Sequence, residues 1–177
     1  MKGTIVKCLE ELVIEKFGAG KWAEALGKAG MPKDRTFTAF CDVDDSELMV
    51  LMKGVADATW LSMEQVTELF GEHWSTVYAP KVYQAYYSGV KSARELLLNL
   101  DHIHEVMTRS VKFGRPPRFR YEWKDENYLI MHYESNRGMV TFMPALIRGV
   151  GKYYKEKLVV YVSGNEVHVR FLSGIGA

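Results

Sequence analysis

Two histidines stand two positions apart in LLLNLDHIHEVMTRSV, residues 96–111. The stretch has the pattern of an α-helix, on which residues three or four positions apart share a face. His104 falls on an apolar face, with Leu97, Leu100, Met107 and Val111. His102 falls on a polar face, with Glu95, Asn99, Glu105 and Arg109. We therefore predict that His104 points into the protein and that His102 points to water.

An inward histidine such as His104 is either a core residue with one hydrogen bond or a ligand. A zinc site needs three or four ligands, and we expect no second histidine, cysteine or carboxylate one turn away on this face. A general base needs a polar cleft around it. A haem iron needs only one axial protein ligand, which an apolar wall can present. The pattern therefore fits haem better than it fits zinc.

A second group of polar side chains lies in YESNR, residues 133–137. If this segment is the end of a strand, Tyr133, Ser135 and Arg137 share one face, because alternate residues of a strand do. Their hydroxyls and guanidinium can donate hydrogen bonds to carboxylates or phosphates. A solvated strand end is the other interpretation. Because haem carries two propionates, this group and His104 together match what a haem pocket requires.

The elements that must position these residues divide at a double proline, Pro116–Pro117, which ends helical structure. Before it, hydrophobic periodicity predicts helices over about 2–17, 21–29, 46–59, 62–78 and 91–112. The helix at 62 opens with the capping box SMEQ. After the prolines we predict two β-hairpins, RFRYEWK/NYLIMHYES and KLVVYVSG/NEVHVRFL, and a helix over 139–156 between them. The predicted fold class is α+β, with a four-stranded antiparallel sheet that has a helix on one face.

Composition limits the function classes. The 177 residues fit one domain, which we divide into a helical subdomain at 1–60 and a second subdomain at 61–177. Lys plus Arg is 23 and Asp plus Glu is 22, so charge gives no reason to expect a nucleic-acid or anionic-membrane partner. Cys8 and Cys41 have no metal-ligand spacing. The N-terminus lacks the apolar core of a signal peptide and no run of 18 apolar residues occurs, so we expect a cytoplasmic protein.

Four motifs in this order resemble the haem-nitric oxide/oxygen binding (H-NOX) family, whose sensor fold is shared with soluble guanylate cyclase. They are the opening MKG with its amphipathic helix, LDHIH, RPPRF, and YESNR as a form of YxSxR. The resemblance implies haem b sandwiched between the two subdomains, with His104 as the proximal iron ligand. It also implies propionate contacts from Tyr133, Ser135 and Arg137. Pro117 and Ile5 match positions that pack against the porphyrin in the family.

The resemblance also assigns the distal side of the haem. Members that bind oxygen stably carry a tyrosine where this chain has Phe142, and a phenyl ring cannot donate a hydrogen bond. We therefore expect binding of NO, and of CO, without stable oxygen binding. Trp74, Tyr78 and Leu146 are further distal candidates, and we expect Trp74 to pack rather than to donate. A substitute donor among Tyr83, Tyr86 and Tyr87 stays open.

The family's signalling mechanism implies that NO weakens the bond between iron and His104 and lets the haem relax. The sequence ends at Ala177 with no output domain attached, so we expect signalling in trans to a histidine kinase or a diguanylate cyclase. Two alternatives to a non-enzymatic gas sensor stay open. One is a peroxidase-like haem enzyme, although no distal His/Arg pair is evident; the other is a cofactor-free interaction module.

Overall fold

The chain divides into two compact units in its computed structural model, which describes residues 3–109 and 115–172. A helical unit comprises Met1–Phe70 and a sheet unit comprises Gly71–Ala177. The subdomain boundary at residue 60 stays a prediction. Within the described ranges, no helix combines the length and the apolar character that a membrane span requires.

The helical unit is built from amphipathic helices that pack through their apolar faces. They are α1 (Gly3–Phe17), α2 (Ala19–Lys28), α3 (Asp45–Thr59) and the start of α4 (Met63–His73). Helix α2 packs on both α1 and α3. The predicted capping box opens α4: the Ser62 amide donates to Gln65 Oε1 at 2.8 Å, and the Gln65 amide donates to Ser62 Oγ at 3.1 Å.

The helix predicted over 62–78 does not stay regular, because a π-helical turn at Trp74–Tyr78 follows α4. Such wide turns are rare and are frequent at functional sites. Two short helices come next, α5 (Ala79–Val82) and α6 (Gln84–Tyr87), before the long helix α7 (Ala93–Arg109). The end of the helix predicted over 91–112, including Val111, lies outside the described residues.

The strands form the predicted antiparallel sheet, in the order β1-β2-β4-β3. They are β1 (Arg118–Asp125), β2 (Tyr128–Glu134), β3 (Lys157–Ser163) and β4 (Glu166–Leu172). Helix α8 (Met143–Tyr154) lies between the hairpins and follows a single 3₁₀ turn at Val140–Phe142. Strand β1 begins directly after Pro117, which cannot continue a helix. The α+β prediction is therefore confirmed.

The core of the sheet unit lies between one face of the sheet and the helices α7 and α8. Alternate residues of the central strands, Leu129, Met131, Val167 and Val169, are completely buried there. Leu97 of α7 and Ile147 of α8 pack into the same cluster. Because α7 shares this core with β1, His104 is held close to the segment that enters the sheet.

Two helical segments of the sheet unit cross at very short range, through glycines. A Cβ atom on Gly149 of α8 would lie only 2.6 Å from the Gly71 carbonyl oxygen and 2.8 Å from Ser75 Cβ. The Ser75 hydroxyl donates to the Leu146 carbonyl at 2.8 Å across the same crossing. This contact fixes the π-helical turn against α8.

Replacing Gly149 with alanine is expected to lower the free energy of unfolding by about 1–3 kcal/mol, because the added methyl group overpacks a backbone contact. Urea unfolding measures the change. Gly20→Ala is the matched control, since no atom beyond its chain neighbours and the nearby backbone of helix α2 lies within 4 Å of the position that its Cβ would take. There the substitution should stabilise the protein by roughly 0.5–1 kcal/mol. Equal effects at the two positions would contradict the packing argument.

Candidate functional site

The two histidines of α7 differ in exposure as their helical positions predict. His102 is exposed, whereas His104 is half-buried. Leu97 is buried, and Leu100 and Met107 pack partly buried against the core of the sheet unit. The amphipathic periodicity therefore assigned the inward histidine correctly for the described part of this face.

The ring of His104 has a defined hydrogen bond and a defined tautomer. Its Nδ1 lies 2.7 Å from the Pro117 carbonyl oxygen, and because a carbonyl only accepts, Nδ1 must carry the hydrogen. Burial holds the pKa of His104 below its ordinary value, although the bond to Pro117 opposes the shift. A neutral ring that donates from Nδ1 has its lone pair on Nε2, which is the atom suited to bind a metal.

Asp101 was missed as a site residue, and it corrects the expectation that no carboxylate lies one turn from His104. Its carboxylate accepts two hydrogen bonds from the Arg118 guanidinium, at 2.7 and 2.6 Å. It also accepts the Phe119 amide at 2.8 Å. Arg118 thereby holds the pKa of Asp101 below its usual range. The spacing of three between Asp101 and His104 was the signal in the sequence that pointed to this neighbour.

Tyr121 makes a further connection between α7 and β1. Its hydroxyl donates to the Leu97 carbonyl at 2.9 Å and accepts the Asp101 amide at 3.1 Å. These are the two backbone groups that a regular α-helix joins directly, so the hydroxyl bridges the helix one turn before His104. Burial raises the pKa of Tyr121 to about 12, so the hydroxyl keeps its proton at neutral pH.

The YESNR residues do not all lie on a strand, which differs from the expectation. Strand β2 ends at Glu134, so Tyr133 lies on the strand, whereas Ser135 and Arg137 lie in the turn that follows. The Arg137 amide donates to Ser135 Oγ at 3.3 Å, a side-chain contact that favours a turn over a continued strand. The turn, rather than strand alternation, sets the spacing of these side chains.

The structure nevertheless brings the two sequence motifs together. The Phe119 ring lies 5.8 Å from the His104 ring and 5.9 Å from the ring of Tyr133, between centroids. The Arg137 guanidinium donates to the Arg115 carbonyl at 3.3 Å. Arg115 lies two residues before Pro117, whose carbonyl contacts His104. The turn that carries Ser135 and Arg137 and the His104 ring therefore contact the same segment, residues 115–117.

The distal candidates lie around the crossing of the π-helical turn and α8. Phe142 and Tyr78 are buried, whereas Trp74 and Leu146 are half-buried. Leu146 is tied to the π-helical turn by the hydrogen bond from Ser75. Trp74 and Tyr78 lie on the π-helical turn and Leu146 lies on α8, the two segments that the glycine contact holds together. Phe142 lies in the 3₁₀ turn directly before α8.

The aromatic rings near Trp74 form a stack. The Trp74 ring lies 5.5 Å from the ring of Tyr78, nearly parallel, and 6.2 Å from the ring of Tyr83. Tyr87 instead packs edge-on against Tyr153 at 5.2 Å. Trp74 therefore contacts other aromatic rings, and both its place on the distal side and the expectation that it packs rather than donates stay predictions.

The other predicted or possible ligands lie elsewhere. Ile5 is half-buried on α1 of the helical unit, and its contact with a porphyrin stays a prediction. His132 and His168 lie on the sheet and contact carboxylates, and His73 is buried at the end of α4. Among the residues that the structure describes, no cluster of three or more histidine, cysteine or acidic side chains could hold a metal ion.

Solved structures with this fold are similar over the whole chain. An H-NOX structure determined for the mechanism of H-NOX activation superposes with a TM-score of 0.84, covers 100% of both chains and is 23% identical. An oxygen-binding H-NOX domain related to soluble guanylate cyclases has a TM-score of 0.80 and 24% identity, and the match covers 100% of this chain and 98% of that one. At this identity the likeness establishes the fold.

Sequence relatives include soluble guanylate cyclases of Caenorhabditis elegans. The cyclase gcy-37 is 29% identical over 147 residues, which are 80% of this chain and 20% of that protein. The cyclase gcy-34 is 25% identical over 157 residues, 86% of this chain and 23% of its own length. This chain therefore spans about a fifth of the length of these curated relatives. The family model described as haem-NO-binding matches residues 2–162, and the chain accordingly belongs to the haem-NO-binding, or H-NOX, family.

Proposed function

We propose that this chain is an NO-selective haem sensor that holds a ferrous haem b through His104 and signals to a separate protein. Membership of the family supports a haem-based gas sensor. The ligand, the gas preference and the partner are the new parts of the proposal. The observation that carries it is the 2.7 Å hydrogen bond between His104 Nδ1 and the Pro117 carbonyl.

That hydrogen bond fits the requirements of an iron ligand. Histidines that bind metals almost always donate their other ring N–H to a carbonyl or a carboxylate, which fixes the tautomer and raises the basicity of the ligating nitrogen. His104 has this arrangement, and its lowered pKa keeps the ring neutral. The Phe119 ring lies 5.8 Å from the His104 ring, and Leu100 and Met107 share its face of α7, which fits the apolar wall of a haem pocket.

Tyr133, Ser135 and Arg137 are proposed to donate hydrogen bonds to the haem propionates. The Phe119 ring contacts the rings of both His104 and Tyr133. The Arg137 guanidinium donates to the Arg115 carbonyl. A guanidinium binds a carboxylate more strongly than it binds a neutral carbonyl, so Arg137 is suited to a propionate. Pro117, whose carbonyl engages His104, is the residue proposed to press on the porphyrin, and Ile5 is proposed to pack against it.

The preference for NO over oxygen is proposed to come from the distal residues Phe142, Trp74, Tyr78 and Leu146. Bound oxygen is stabilised by a hydrogen-bond donor, because it carries partial negative charge. Phe142 is buried and offers no donor. NO and CO need little such help, so both should bind.

The proposed signal begins at the helix that carries His104. A ferrous haem, when bound, would supply an iron that takes up NO, and His104 would be the residue that holds this iron. Weaker binding of His104 in the presence of NO would release His104 and the end of α7, while the start of α7 stays anchored by Leu96 and Leu97 in the core. The release of His104 can act as a switch only if NO binds more tightly to the protein with His104 released than to the protein with His104 bound to iron.

The partner is proposed to be a histidine kinase or a diguanylate cyclase that acts in trans. We propose a sensor rather than an enzyme, in keeping with the family's role in sensing. Purifying the chain with proteins encoded beside it, and assaying the kinase or cyclase activity with and without NO, tests this choice. Steady turnover of peroxide would instead support a haem enzyme.

Visible spectra of the reduced protein test the ligand and the selectivity together. Under argon, NO and CO should each shift the Soret band. Exposure of the reduced protein to air should give slow oxidation and no persistent oxygenated spectrum. A long-lived oxygenated spectrum would contradict the selectivity, and a purified protein without a Soret band, grown with haem available, would support a cofactor-free module.

A further inference from the structure

Five residues on α7 and at the entry to β1 form a closed loop of contacts that includes His104. His104 donates to the Pro117 carbonyl at 2.7 Å. The next two residues along the chain, Arg118 and Phe119, both donate to Asp101. Asp101 lies on α7, one helical turn before His104, and so closes the loop of contacts. Every link is a hydrogen bond or a covalent connection, so the Pro117 carbonyl cannot move away from His104 without breaking one of them.

We propose that Asp101 is a positioning residue for His104: by fastening Arg118 and Phe119 to α7, it holds the Pro117 carbonyl on Nδ1 and so sets the strength of the bond between His104 and iron. This inference rests on the proposed function and gives a role to Asp101, which was not among the predicted site residues. Tyr121 also helps to position Asp101, because the Asp101 backbone amide donates to the Tyr121 hydroxyl at 3.1 Å.

The effect on the iron follows from the hydrogen bond to Nδ1. A carbonyl that accepts firmly from Nδ1 pulls electron density toward Nε2 and makes it a stronger donor to the metal. When the carbonyl is held less tightly, the ring is also freer to rotate. Asp101 therefore acts through Pro117, without touching the haem itself.

Asp101→Asn and Arg118→Leu test the proposal in the haem-loaded protein. Asp101→Asn keeps the side-chain shape but loses the paired charge, and Arg118→Leu leaves the Asp101 contact with the Phe119 amide in place. In both variants the iron–histidine stretching band of the reduced, unliganded protein should move to lower frequency. Haem transfer to apomyoglobin should become faster by about tenfold, the lower end of the loss of metal affinity that follows removal of an outer-shell partner.

The double variant distinguishes a shared contact from two separate effects. Because Asp101 and Arg118 act through one pair of hydrogen bonds, the double variant should shift the band no further than the larger single shift. Glu105→Gln is the matched control. Glu105 lies next to His104 and pairs with the exposed Arg109 at 2.7 Å, so its loss should leave the band unchanged.

Two outcomes would overturn the proposal. One is an unchanged stretching band in both single variants, even if the protein is less stable, because that would make Asp101 a purely structural residue. The other is an equal shift in Glu105→Gln, which would assign the effect to charge on the helix. In either case NO binding by the wild-type protein would still stand, whereas a wild-type protein that binds no NO would refute the proposed function instead.

Discussion

Replacing His104 with glycine is expected to cost more haem affinity than the roughly 10–100-fold that loss of an outer-shell partner causes. The reason is that the Nε2 lone pair, the proposed bond from α7 to iron, disappears. Added imidazole should restore haem binding, because the vacated space accepts the free ring. Haem titration with and without imidazole measures the effect, and the rescued protein should lack a covalent link between iron and α7.

The rescued His104→Gly protein should also behave like the NO-bound wild type. Backbone amide exchange in the part of α7 after Asp101 should rise in both, because neither holds that segment through iron. His102→Ala is the matched control, since His102 is exposed on the same helix and its loss should leave the haem spectrum unchanged. If His104→Gly with haem retained regulated the partner like the unliganded wild type, release of His104 would not be the trigger.

Phe142→Tyr is expected to convert the protein into one that binds oxygen measurably. A phenol that donates to a partly charged ligand contributes about 1.5–3 kcal/mol, which is roughly a tenfold to hundredfold slower dissociation of oxygen. NO binding should change little. Stopped-flow measurement of oxygen dissociation from the reduced variant, with CO or NO as the trap, provides the rate.

Phe171→Tyr is the control for this substitution, because it adds a phenol to a phenylalanine of similar burial in the same unit: Phe171 is 7% exposed and Phe142 is 8% exposed. Phe171 lies in the sheet core beside Trp123, so it should not affect oxygen. If Phe142→Tyr bound oxygen no better than Phe171→Tyr, position 142 would not face the gas ligand, and the selectivity would need another explanation.

Local patterns were sufficient for most elements of the fold. The capping box at Ser62, the proline pair before β1 and the turn at Gly164 each act through contacts within a few residues, so the sequence alone predicted them. The four strands were predicted in the same way, from the alternation of hydrophobic and polar residues and from the turn residues between them. The π-helical turn at Trp74–Tyr78 was not predicted, because it depends on the packing of Ser75 against α8.

For the candidate site, the sequence determined by itself which histidine of DHIH faces inward, since helical periodicity separates His104 from His102. It also supplied the motif at Tyr133, but not the turn that carries Ser135 and Arg137. Only the tertiary structure decided which group Nδ1 of His104 engages and what holds that group in place. The Pro117 carbonyl and the Asp101–Arg118 pair join residues 13 and 17 positions apart, and a contact between a helix and a strand leaves no periodic trace in the sequence.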